Sequence, residues 1–277
     1  MTKSFFYVGA LISTLFFALG IGASNLFGLS TKWVAIAVAL TGAHQISTLY
    51  YYFDRSSLLS MSNRRNDFFT IPLIIFLAVS SCYYLLNDTG RIYFLILYGS
   101  ITIWHYQKQN IGFFSLSCAS LSQDPMLKLE RYAILVGGAA ALVSLPVGTI
   151  GRMDVLEQSV FFPYLKILAV IGNFGFSFAI GLCLLSFVRG NTASLSKRLV
   201  RTGTLILMAG FFWPLLFVDN SELAFAMYGG SHGIQYFFIT GLIAANATGE
   251  PSWWSRLRGA AFAGAVTIGA FVIWRGF

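Results

Sequence analysis

Three histidines stand in this chain, and each falls inside an apolar run. His44 lies in Thr41-Gly42-Ala43-His44-Gln45, and His105 in Trp104-His105-Tyr106-Gln107-Lys108-Gln109-Asn110. His232 lies in Tyr228-Gly229-Gly230-Ser231-His232-Gly233-Ile234-Gln235-Tyr236. An ionisable group in an apolar, membrane-length run is costly and turns toward the protein interior, so each marks a functional site by default. Imidazole suits iron, zinc, copper or nickel, and three imidazoles with open coordination positions make a catalytic pattern. The competing use is an interhelical hydrogen bond, which membrane helices employ for association. For any single histidine both uses stand open.

Depth favours a joint reading. At about 1.5 Å rise per residue, His44 falls roughly 14 Å from the inner end of its run. His232, about ten residues from the outer end of its own run, reaches a similar level. The long run carrying His105 reaches the same layer. Three imidazoles at one depth can converge on one metal.

The neighbours extend this site. Gln109 follows His105 by one helical turn and shares its face, and Gly112 continues that face with room for another helix. Tyr228, Gln235 and Tyr236 share the face of His232; Thr48 and Tyr51 share that of His44. A metal-bound imidazole generally donates its other N–H to a partner, which gives Tyr236 and Gln109 a role as a fourth ligand or as an orienting group. Gln107, Lys108, Gln109 and Asn110 read equally well as a helix end at the cytoplasmic interface, with Lys108 snorkelling. Phe113, Phe114, Phe237, Phe238 and Tyr50–Tyr52 are candidates to line an apolar tunnel. Asn173, between Gly172 and Gly175, reads as a structural hydrogen-bonding residue in a close helix contact.

The elements that must hold these groups follow from composition. Of 277 residues, 57% are hydrophobic, 17% aromatic and 10% charged, against about 25% charged in a soluble domain. Mean hydropathy is +0.73. A soluble enzyme, a disordered chain and a disulfide scaffold are excluded on those numbers. Cys82, Cys118 and Cys183 are too few and too scattered for a disulfide framework or a zinc site. The net charge of +8 forms no patch for nucleic acid, because Lys and Arg sit at the ends of apolar runs.

Those runs fall at about 5–23, 33–53, 69–87, 92–121, 131–149, 160–188, 199–218, 222–247 and 257–275. The reading is all-α, a polytopic integral-membrane bundle of about nine transmembrane helices forming a single domain over 1–277. The first run reads as a retained span rather than a signal peptide. Counting on alternate sides gives 13 of the 18 Lys and Arg residues to one face and five to the other. By the positive-inside rule that larger share is cytoplasmic, so the N-terminus is inside and the C-terminus external. A bacterial inner membrane suits this arrangement.

No phosphate-binding loop, Ser-His-Asp arrangement or carboxylate pair is present, and all ten acidic residues map to loops or span ends. Proton transport by carboxylate relay and magnesium–diphosphate chemistry are therefore disfavoured.

The histidine segments resemble a known family, the membrane-bound, retinal-forming carotene dioxygenases of prokaryotes (the bacteriorhodopsin-related-protein-like family). His44 after Gly42 looks like the family's early histidine, and His105 in Trp-His-Tyr looks like its second. His232-Gly-Ile-Gln-Tyr236-Phe237 resembles its late His-x-x-x-His-Phe segment, with tyrosine in place of the final histidine. Thr48 stands where the family's first segment carries an acid, and its proline is missing. The resemblance implies a non-haem Fe(II) held by histidines from several spans.

The expectation is thus a membrane metal-dependent oxygenase or other oxidoreductase with His44, His105 and His232 as ligands. Its substrate would be a lipophilic carotenoid- or isoprenoid-like molecule drawn from the membrane lipids, with no nucleic-acid partner. Zinc, copper or haem are the alternative cofactors. Two other classes compete: a transporter or channel using the histidines as polar contacts, and a haem-binding electron carrier with two histidines as axial ligands.

Overall fold

The structure is a computed structural model that describes residues 12, 62, 65–121, 124–145, 162–189, 194–217 and 227–236. Among these residues the chain is all-helical, with no strand. A π-helical turn (Asn66–Thr70) leads into α1 (Ile71–Leu85), followed by α2 (Asp88–Leu121), α3 (Lys128–Leu145), α4 (Phe162–Arg189) and α5 (Leu195–Ala209). A 3₁₀ turn, Trp213–Leu216, follows α5, and residues 227–236 are helical.

Local chemistry sets several of the boundaries. Leu86 leaves the helical region at ψ 141°, and the Asn87 side chain then accepts a hydrogen bond from Gly90 N–H at 2.8 Å, an N-cap that opens α2. At the start of α3, Glu130 reaches back to accept the Leu127 N–H at 2.7 Å, which is half of a capping box. Hydropathy predicts one span over 199–218, but α5 stops at Ala209. Gly210 is a poor helix former, and the Pro214 ring would meet the Gly210 carbonyl if the helix continued. The chain instead makes a turn, with Trp213 N–H donating to Gly210 O at 2.9 Å.

α3 packs closely against α4, and α2 and α5 complete the bundle around it. On α4 the buried residues Gly172, Phe176, Ala179, Cys183 and Ser186 recur every three or four positions, a single stripe facing inward. The matching surface of α3 consists largely of glycine, alanine and serine. Small residues let helix backbones approach, as in membrane bundles. A Cβ at Gly137 would overlap the Ala209 backbone oxygen, and one at Gly172 would overlap Ser144 Oγ. Gly112 behaves differently: a Cβ there meets nothing within 4 Å, so its expected helix contact is not found among the described residues. Asn173 meets its expectation, accepting a 2.9 Å hydrogen bond from Trp213 Nε1.

Chain direction alternates through the bundle. Gly99 faces Leu145 and Gly138 faces Gln107, so α2 and α3 are antiparallel. Gly172 faces Ser144 while Ser186 bonds Glu130, so α3 and α4 are antiparallel as well. Tyr106 stacks on Phe212, and Gln107 donates to Met208 O.

One end of the bundle is locked by a buried ion pair. Arg201 Nε and Nη2 each donate to a Glu130 carboxylate oxygen at 2.7 Å. Ser186 Oγ donates to Glu130 Oε1 at 3.2 Å, and Arg201 Nη2 also reaches Pro125 O at 2.9 Å. Both charged side chains are nearly sealed, at 7% and 2% exposure. A desolvated ion pair survives when its geometry is bidentate and its remaining lone pairs are used, and both conditions hold.

Among the described residues one helix, Lys166–Arg189, is long and apolar enough to cross a membrane by length and composition. α1 is short at 15 residues, and α2, α3 and α5 carry charged or amide residues that dilute their apolar runs. The exposed faces of α1 and α4 are apolar nonetheless. Leu73, Ile74, Ile75 and Leu77 on α1 and Ile167, Val170, Ile171, Phe174 and Phe178 on α4 are all exposed.

Candidate metal site

α2 runs to Leu121, so Gln107–Asn110 lie in mid-helix; the alternative that this polar run is a helix end does not hold. Lys108 does not extend toward that end either, but places Nζ 5.1 Å from the Trp104 ring centroid, back along its own helix. Gln107 is buried and donates through Nε2 to Ile134 O at 2.6 Å and Met208 O at 3.2 Å. It thereby joins α2 to both α3 and α5. Asn110, also buried, donates through Nδ2 to Gln107 Oε1 at 3.1 Å.

One turn before Asn110, Tyr106 and His105 meet His232. The His105 and His232 rings lie edge to face, with centroids 5.3 Å apart and planes at 70°. Tyr106 stacks on His232 at 3.8 Å and 18°, and Phe212 continues that stack beyond Tyr106 at 6.3 Å and 12°. Tyr228 packs on Phe211 and Phe212 at 5.4 and 4.8 Å. His232 is 2% exposed, whereas His105 is on the exposed face of α2.

This arrangement constrains the imidazole usefully. Stacking occupies the flat face of His232 and fixes its ring plane, while imidazole ligates and hydrogen-bonds through nitrogens at its edge. Two imidazoles bound to one tetrahedral metal, each nitrogen about 2.1 Å from it, have centroids roughly 5 Å apart. The observed separation fits two members of such a donor set. A transition metal there would supply Lewis acidity or redox chemistry at its open positions.

The remaining predicted residues are not gathered in the same way. His44 lies outside the described residues. Among the described residues no group of three or more His, Cys, Asp or Glu side chains could hold a metal ion. Gln109 follows His105 by one turn and is partly buried, with Nε2 enclosed and not hydrogen-bonded. Tyr236 follows His232 by one turn and is partly buried.

Sequence reasoning overlooked Tyr106 and the Glu130–Arg201 pair. A weak signal existed for the pair, since both residues open apolar runs assigned to the same membrane side. Nothing in the linear sequence joins Tyr106 to His232. No family model, curated protein or solved structure matches this chain.

Proposed function

We propose that this chain is an integral-membrane, metal-dependent oxygenase or oxidoreductase acting on a lipophilic, carotenoid- or isoprenoid-like substrate. His105 and His232 are two of its metal ligands, His44 is the third, and the metal is non-haem iron. The observation that carries this reading is the 5.3 Å contact between His105 and His232, residues from distant parts of the chain. A buried imidazole stacked on Tyr106, with a second imidazole edge to face with it, suits ligation better than helix glue.

The polytopic arrangement of about nine spans belongs to the same proposal. It is supported by the alternating direction of α2, α3 and α4, by the apolar outer surfaces of α1 and α4, and by the length of Lys166–Arg189. A haem carrier is a poorer fit. Axial ligands lie on opposite sides of a porphyrin, and rings in edge-to-face contact leave no gap for one.

Metal analysis of the purified full-length protein tests the proposal. Stoichiometric iron that falls in both His105→Ala and His232→Ala supports it. Folded wild-type protein that takes up no transition metal on reconstitution refutes it.

A further inference from the structure

Three helices meet at one end of the bundle through Glu130 on α3, Arg201 on α5 and Ser186 on α4, joined at 2.7 and 3.2 Å. Five further cations lie within four positions of one of these residues. Lys128 and Arg131 flank Glu130, Arg189 follows Ser186 by three residues, and Lys197 and Arg198 precede Arg201 by four and three. At about 1.5 Å rise per residue, each backbone position is within roughly 6 Å of the junction along its own helix. Arg198 links two of the helix ends directly. It donates to Phe187 O, and its guanidinium carbon lies 4.5 Å from the Phe187 ring centroid.

The charge gathered here is unbalanced. Glu130 is matched by the buried Arg201 and offsets nothing outside. Lys128, Arg131, Arg189 and Lys197 are exposed and Arg198 is half-buried; among the described residues the exposed acid beside them is Asp124. At the opposite end, α2 opens with Arg91 three residues after Asp88, and α4 with Lys166. Exposed like charges within a Debye length of about 8–10 Å add their fields, so five cations near one junction make a positive surface.

That surface borders an apolar one. Tyr132 on α3, Val188 on α4, and Leu195 and Leu199 on α5 are exposed among the cations. The helix long and apolar enough to cross a membrane, Lys166–Arg189, ends on one of them. Cations at the rim of an apolar face match a phospholipid, whose phosphate takes the charge while its acyl chains cover the apolar side chains. An acidic soluble partner would leave those side chains in water.

We propose that this end of the bundle docks anionic phospholipid headgroups, with Arg189, Lys197 and Arg198 forming the α4–α5 half of the surface and Lys128 and Arg131 the α3 half. Guanidinium groups suit the phosphate oxygens because their N–H donors match phosphate geometry. The consequence goes beyond membrane orientation: the surface selects which lipid borders the helix ends. This inference rests on the proposed spanning arrangement but not on the metal or the substrate.

The test places full-length protein in phosphatidylcholine vesicles with a trace of spin-labelled phosphatidylglycerol or spin-labelled phosphatidylcholine, and reads the motionally restricted fraction of each. Wild type should hold phosphatidylglycerol about 3–10-fold more strongly, with the preference falling as salt rises. Arg189→Gln combined with Lys197→Gln should remove most of that preference, and Lys128→Gln combined with Arg131→Gln should reduce it. Lys166→Gln, at the opposite end of α4, should leave it unchanged. All these side chains except Arg198 are exposed, so the variants keep the buried junction. Equal retention of the two lipids by inserted wild type would overturn the proposal and leave the surface to an acidic protein partner. A preference that survives both double variants, or that Lys166→Gln lowers as much as they do, would overturn it too. Protein that restricts neither lipid would overturn the spanning arrangement along with it.

Discussion

Tyr106 presses its ring against His232 at 3.8 Å, so the aromatic contact and the candidate ligand are one unit. Tyr106→Leu should loosen the imidazole and weaken metal retention by about 10–100-fold, the range for groups that orient a ligand. Tyr106→Phe, which keeps the ring, should retain the metal. Equal loss in both variants, measured by competition with a chelator, would instead tie the effect to the phenol. The residue-scale chemistry was partly legible in the sequence. Histidines in apolar runs are conspicuous because their burial is expensive, and two of the three come together. Tyr106 was invisible because its value lies in a partner well over a hundred positions away. Gln107 and Asn110 read as a possible interface run since polarity alone does not distinguish a helix end from an interior network.

At the scale of elements, the Glu130–Arg201 pair joins α3 to α5, with Ser186 adding α4. Glu130→Ala would strand a buried guanidinium, and the expected loss is about 3–5 kcal/mol. Replacing both residues with Met should restore most of that loss, because apolar replacements of buried pairs are often neutral or stabilising. Thermal unfolding of the single and double variants checks this, and a loss in the double variant equal to the sum of the two single losses would show the pair to be uncoupled. The glycines give a second contrast. Gly137→Ala should destabilise by about 1–3 kcal/mol through overpacking against Ala209. Gly112→Ala should be neutral or stabilise by up to about 1 kcal/mol, since alanine is the better helix former and the space is open. Hydropathy located α1 to α4 because each is built on an apolar run. It failed at the end of α5, where Gly210 and Pro214 break the helix inside a run that stays apolar throughout.

For the whole molecule, chain direction alternates from α2 to α4, as the proposed spanning bundle requires of successive helices. Reporter fusions after residues 60 and 195 should read cytoplasmic, and a C-terminal fusion should read external. A cytoplasmic C-terminus would remove a span from the proposed nine and upset the common depth assigned to the histidines. The all-helical class was readable from composition alone, since apolar chains of this kind satisfy their backbone within each segment. The number of spans was less securely written. Charged and amide groups such as Lys108, Gln107 and Arg201 fall within helices, where they dilute the hydropathy on which span counting depends. The central claim, that histidines from distant segments hold one metal, is tested most directly by iron stoichiometry in reconstituted full-length protein. Wild type should carry close to one iron per chain, and His44→Ala, His105→Ala and His232→Ala should each lose most of it while remaining folded. Metal-free wild type, or iron unchanged in all three variants, would contradict the account.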